Sequence, residues 1–124
     1  MTMQLTGTAL RMTILIGEDD VWHHAPLHRE ILERARKAGL AGATVMRGCE
    51  GYGLHGMIHT TRVLSMADHM PILVLFIDRA DKIRAFLPQL QEVISNGTVV
   101  LDEVDVMTMG WSTLGPVTRS PTDN

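Results

Sequence analysis

The densest run of chemistry-bearing residues is Arg47-Gly48-Cys49-Glu50-Gly51-Tyr52-Gly53-Leu54-His55-Gly56, followed by His59-Thr60-Thr61-Arg62. Its glycines let the backbone take positive φ and turn N–H groups outward, and consecutive outward N–H groups form nests that hold anions. Arg47 and Arg62 supply guanidinium forks for a phosphate or carboxylate. Thr60 adds a hydroxyl, Tyr52 a flat ring, and Glu50 and His59 polar groups at either end. The expected ligand-binding set is therefore Arg47, Gly48, Glu50, Gly51, Tyr52, Gly53, His59, Thr60 and Arg62, and the expected ligand is a small anion. A plain turning loop with no ligand is the competing reading.

Gly51-Tyr52-Gly53-Leu54-His55-Gly56 matches the letters of a dinucleotide fingerprint, G-x-G-x-x-G. That fingerprint needs a helix opening directly on it. The stretch from Met57 to His69 is too short and irregular for a crossover helix, so a Rossmann turn is rejected.

Other constellations are weaker. His24 and His28, and His55 and His59, stand four apart, the spacing that puts two ligands on one helix face, but structural metal sites take four ligands and no set is complete. Pro26 places His24 ahead of any helix, and Gly56 disfavours helix around His55. Cys49 could be a nucleophile with a nearby histidine as base, but no third orienting group is apparent, so it reads as a small passive residue. Glu18-Asp19-Asp20 reads as a turn. No catalytic residue or metal ligand is assigned. The alternatives kept beside a binding role are a metal-binding trimer, and an enzyme that acts on a phosphorylated small molecule with His59 or Glu50 as general base.

The elements that must position the loop follow from periodicity. Residues 9–16 alternate, with Leu10, Met12, Ile14 and Ile16 on one face, as a strand does. Pro26 opens a helix predicted over 26–38, in which Leu27, Ile31, Leu32, Ala35 and Ala38 form the apolar stripe and Gly39 the left-handed stop. Glu30 with Arg34 and Glu33 with Lys37 make i,i+4 pairs. Residues 42–48 read as a second strand, 49–68 as a loop, and Pro71 with Ile72–Ile77 as a third strand. Asp78 is expected to cap a second helix, where Ile83, Phe86, Leu87, Leu90, Val93 and Ile94 line one side, Pro88 predicts a kink or break, and Asn96-Gly97 ends the helix. A last strand is predicted from about Thr98 to Met109.

That order, strand-helix-strand-strand-helix-strand, is the α+β ferredoxin-like βαββαβ sandwich: two helices on one face of a four-stranded antiparallel sheet. The expected boundaries are an extension at 1–8, the domain at 9–109 and a loose tail at 110–124. Ile72–Ile77 is apolar on both faces, so the helix-free face calls for a cover, and a second copy of the chain is the simplest one.

Composition limits the partners. Eleven Lys and Arg stand against fourteen Asp and Glu, a net charge of -3, with no basic excess to hold nucleic acid. Cys49 is the lone cysteine, so no internal disulfide forms, which fits a reducing, cytoplasmic setting. Neither a signal peptide nor an apolar run long enough for a membrane span is read in the sequence. The nine methionines read as adaptable core filler.

Several blocks together resemble a known family. Pro26-Leu27, Ala35-Arg36, Gly39-Leu40-Ala41-Gly42-Ala43-Thr44-Val45, Arg47-Gly48, Glu50-Gly51-Tyr52-Gly53, His59-Thr60 and Phe86-Leu87-Pro88 resemble the PII-like family of domain of unknown function 190, over about residues 9–109. The resemblance implies a ferredoxin-like homotrimer similar to the PII nitrogen-regulatory signal proteins. Those proteins bind adenine nucleotides in clefts between subunits and display a long loop, the T-loop, after the second strand. Here Cys49 to Asp68 holds that place. The resemblance further implies a signalling role in which the 49–68 loop is presented to a protein partner such as a membrane transporter or channel. The sequence departs from the PII pattern in two respects: the phosphate-binding signature near the last strand, T-G-x-x-G-D-G-K-I in type, has no counterpart around Asn96 to Leu101, and the usual modified-tyrosine loop sequence is not recognisable, so modification of Tyr52 is not implied.

Overall fold

The computed structural model describes residues 5–50 and 70–110. β1 (Gly7–Gly17) leads through a short hairpin, β2 (Val21–Trp22) and β3 (Ala25–Pro26), into α1 (Leu27–Ala38). Then come β4 (Thr44–Arg47), β5 (Pro71–Asp78), α2 (Ala80–Val93) and β6 (Thr98–Val106). The main sheet runs β4-β5-β1-β6 with every neighbouring pair antiparallel. This is the ferredoxin-like arrangement that the element order implied.

The alternation in β1 decides which face is core. Leu10, Met12, Ile14 and Ile16 are buried, and their partners Asp78, Phe76, Val74 and Ile72 on β5 lie on the same face. Onto this face pack Leu27, Ile31 and Ala35 of α1 and Ile83, Phe86, Leu90 and Val93 of α2. Phe76 and Phe86 meet at a 6.0 Å centroid separation and a 58° tilt, an arrangement that suits the ring quadrupoles. Glu30 holds Arg34 at 2.7 Å, and Glu33 holds Lys37 at 3.8 Å. Gly39, at φ 85°, turns the chain out of α1 in a conformation that a Cβ would strain.

Four local expectations are corrected. β1 is longer than 9–16, because pairing with β6 continues to Gly7↔Val106. The last strand stops at Val106 rather than Met109. Asp78 is not the helix cap: Arg79 holds that position without a side-chain bond. Instead, the fully buried Asp78 carboxylate accepts the Ala41 N–H at 2.8 Å and the Arg79 N–H at 2.7 Å, tying the α1–β4 connection to the end of β5. Pro88 does not break α2, which runs continuously to Val93. Pro88 and Arg84, the residue whose carbonyl loses its N–H partner, are both exposed.

The hairpin over residues 21–26 was not foreseen. Its tip residues His23 and His24 take φ of 48° and 69°, the left-handed pair that a two-residue hairpin loop demands. Trp22 stacks on His23 at 4.1 Å, and the Arg34 guanidinium lies 5.7 Å from the Trp22 ring centre, which offsets part of the backbone strain.

The opposite sheet face turns away from both helices. Register places Leu15 and Thr13 of β1, Leu73, Leu75 and Ile77 of β5, Met46 of β4 and Val100 of β6 on it. Met46 and Val100 are exposed. Within this apolar surface Arg11 and Asp102 stand directly opposite one another and pair through two hydrogen bonds, 3.2 and 2.7 Å.

Candidate functional site

At one end of the sheet three strand termini converge. β1 and β4 finish there and β5 begins between them, because Arg47 pairs with Ile72 and Gly17 with Pro71. The ladders continue one step past the strands. The Gly48 N–H donates to the Pro71 carbonyl at 2.8 Å, and the Glu18 N–H to the Met70 carbonyl at 2.8 Å. Residues 47–48 and 70–71 are thus held side by side, at the two ends of the segment in which the sequence placed its ligand.

Gly48 is required by proximity. A Cβ there would sit 2.6 Å from Cγ of Pro71, inside any tolerable contact with a ring carbon. Smaller than every alternative, glycine lets β4 approach β5 where the segment departs.

Arg47 is half-exposed, and its Nη2 lies 2.6 Å from Oε2 of Glu18. β4 and β1 are separated by β5, so the pair spans two inter-strand spacings, about 10 Å of sheet. Only long side chains bridge that gap. The other Glu18 oxygen, Oε1, is buried without a hydrogen-bond partner, and so is Nδ1 of His28 in the first turn of α1. A buried, unpaired acceptor costs about 1–3 kcal/mol, more when charged, so both atoms mark unfinished polar chemistry. His28 is held below its ordinary imidazole range, first by burial, then by the neighbouring Arg29 charge. The Glu18 carboxylate opposes that shift, which places Glu18 and His28 within one electrostatic neighbourhood.

Charge divides across this end of the sheet. Asp20 caps the turn by accepting the Gly17 N–H at 2.9 Å. Asp19 and Asp20, with Leu27, Val93, Ser95 and Asn96, line a cleft of about 310 Å³ on the β6 side. Its acidic lip disfavours an anion. Arg47 stands on the β4 side, where the Glu18 carboxylate meets its charge.

Of the expected ligand-binding residues, Arg47, Gly48 and Glu50 lie among the described residues. Arg47 and Gly48 are brought to the strand-end cluster, and Glu50 is exposed just beyond it. Gly51, Tyr52, Gly53, His59, Thr60 and Arg62 lie outside the described residues, as do most of the 49–68 loop and the tail from 111 onward. Sequence reading missed Glu18 and His28. Glu18 was set aside as part of an acidic turn, and His28 was considered only for its spacing from His24. The available signal for Glu18 was its position at the end of an alternating strand, where an acidic side chain on the core face must find a partner. Among the described residues no cluster of three or more His, Cys, Asp and Glu side chains is arranged to hold a metal ion. Nor is any helix among them long and apolar enough to cross a membrane.

Comparison with known proteins agrees with this architecture. Residues 9–106 match the model of domain of unknown function 190, described as an uncharacterized ACR. A UPF0166 protein of Aquifex aeolicus is 33% identical over 96 residues, spanning 77% of this chain and 90% of that protein. A UPF0166 protein of Methanocaldococcus jannaschii is 27% identical over 96 residues, 77% of this chain and 88% of that one. Among solved structures, CPII of Thiomonas intermedia K12 bound to ADP, AMP and acetate superposes with a TM-score of 0.53 at 15% identity, covering 85% of this chain and 94% of CPII. The same nitrogen regulatory PII-like protein bound to ADP, AMP and bicarbonate gives 0.50 at 16%, covering 82% and 94%. The likeness to CPII is one of fold. With the family model matched along nearly the whole described domain, the chain belongs to the family of domain of unknown function 190, on a PII-like ferredoxin-like fold.

Proposed function

We propose that this protein is a small-ligand-sensing regulatory protein that binds an anion, an adenine nucleotide by preference, at clefts between the subunits of a homotrimer. The observation that carries the reading is Arg47: a half-exposed guanidinium at the end of β4, beside the close-packed Gly48, at the root of the glycine-rich segment. A guanidinium so placed suits a phosphate or carboxylate bound in two-pronged fashion. In this reading Glu50, Gly51, Tyr52, Gly53, His59, Thr60 and Arg62 complete the binding surface, with the Tyr52 ring against the base. The CPII structures with ADP and AMP on the same fold support the nucleotide as ligand.

The helix-free face supports the trimer. Leu15, Leu73, Leu75, Met46 and Val100 form a contiguous apolar surface, the kind that marks an interface. The Arg11–Asp102 pair within it is already satisfied internally, so burying it leaves no lone charge. A cytoplasmic location, which the lone cysteine fits, and a protein partner for the 49–68 loop, such as a membrane transporter or channel, which the sequence resemblance implies, belong to the same reading.

Isothermal titration of the purified chain with ADP, AMP and bicarbonate tests the ligand, and sedimentation velocity tests the assembly. The expected outcome is saturable ADP binding to a trimer, weakened in both Arg47→Ala and Arg62→Ala. Unchanged affinity in both variants, or no binding of any of the three compounds, rejects the reading.

A further inference from the structure

The state of Arg47 is informative about what the ligand must be. Its guanidinium is not vacant: one oxygen of Glu18 forms an ion pair with it at 2.6 Å. The other Glu18 oxygen is buried and makes no hydrogen bond. A carboxylate that uses half its acceptors is a poor match for a guanidinium, which takes two oxygens of one anion in parallel bonds. The Glu18 main chain is pinned by its N–H bond to Met70, and the preceding Gly17 N–H is bonded to Asp20. Glu18 can therefore leave Arg47 by side-chain rotation, with no strand moving.

We propose that Glu18 is a built-in competitor for the ligand of Arg47: its carboxylate occupies the guanidinium until an anionic group of the ligand replaces it. The inference rests on the reading of Arg47 as a ligand-binding residue. It also narrows the ligand class. An incoming anion must outcompete an intramolecular carboxylate held at 2.6 Å. A diphosphate or other polyanion meets that requirement through charge and two-pronged bonding, whereas a monoanion such as bicarbonate does not by itself. Glu18 thus sets the threshold of the site and discriminates by ligand charge.

Calorimetric titration of the full chain with ADP and with inorganic pyrophosphate tests this, using Glu18→Gln, Glu18→Ala, Arg47→Ala and the Glu18→Gln/Arg47→Ala double variant. Both Glu18 variants are expected to bind each probe about two- to fivefold more tightly than the wild type, the range of a part-exposed charge pair. In the Arg47→Ala background, Glu18→Gln is expected to bring no gain. Glu18→Gln keeps the side chain's size, and its melting temperature reports whether the fold is intact. Loss of binding in Arg47→Ala with unchanged or weaker binding in both Glu18 variants overturns the competitor and leaves the ligand site standing. Absence of binding of either probe to any of these proteins, wild type included, overturns both.

Discussion

The guanidinium of Arg47 and the carboxylate of Glu18 meet at 2.6 Å although they belong to β4 and β1, strands that do not touch. The bond passes over the start of β5, which lies between them. Because the Glu18 main chain is also bonded to Met70, this one residue holds the segment's departure point by its side chain and the segment's return point by its backbone. The side-chain bond is half-exposed and screened by solvent, so Arg47→Ala is expected to lower stability by no more than about 1 kcal/mol in urea unfolding. A much larger loss would make the pair a structural clamp instead of a displaceable one.

Gly48→Ala is expected to destabilise by about 1–3 kcal/mol, the usual range for overpacking. The added methyl would lie 2.6 Å from the Pro71 ring, which has no rotamer to yield. Hydrogen exchange should show faster exchange of the Gly48 amide, since the bond to Pro71 lengthens first. An unchanged unfolding midpoint would mean that β4 moves off β5 freely.

Asp78 is the only buried polar or charged residue among the described residues, and two main-chain N–H groups depend on it. Asp78→Ala strands both donors and is expected to cost at least about 2 kcal/mol in chemical denaturation. Asp78→Asn keeps one acceptor oxygen and should cost less. Equal losses in the two variants would mean that the shape of the side chain matters more than its acceptors.

His28 should titrate below 6.5 in the folded chain, because burial disfavours the imidazolium and Arg29 adds to the effect. On acidification the unfolded chain then takes up this proton first. The His28 contribution to stability is accordingly complete above pH 6.5 and is lost as pH falls below it. An NMR titration of the His28 ring reads the midpoint directly. Glu18→Gln removes the one opposing influence and should lower the midpoint further, whereas a midpoint above 6.5 in the wild type would put the Glu18 field ahead of burial.

Val100→Asp places a charge on the helix-free sheet face, opposite Thr13 and away from the core. It is expected to dissociate the proposed trimer while leaving far-UV circular dichroism unchanged. Sedimentation velocity checks it. An intact trimer in Val100→Asp would move the interface to another surface.

The sequence by itself determined the order of the two helices and the four strands of the main sheet, the core face and the family. Alternation of Leu10, Met12, Ile14 and Ile16 with period two, and of Ile83, Phe86, Leu90 and Val93 with helical spacing, are local signals that water imposes on any chain that must hide one face. The glycine-rich segment was legible for the same reason, since backbone freedom is a property of residue type. What only the tertiary structure decided is pairing across the sheet. Glu18 and Arg47 are 29 positions apart by their numbering, and nothing local in either marks the other. Their meeting depends on β5 entering between β1 and β4 in a register that aligns Gly17 with Pro71 and Arg47 with Ile72. Asp78 shows the same limit. Its residue type and position fit a helix cap, but the α1–β4 connection brings the Ala41 N–H to its carboxylate, and a buried acceptor bonds whichever donors the fold delivers.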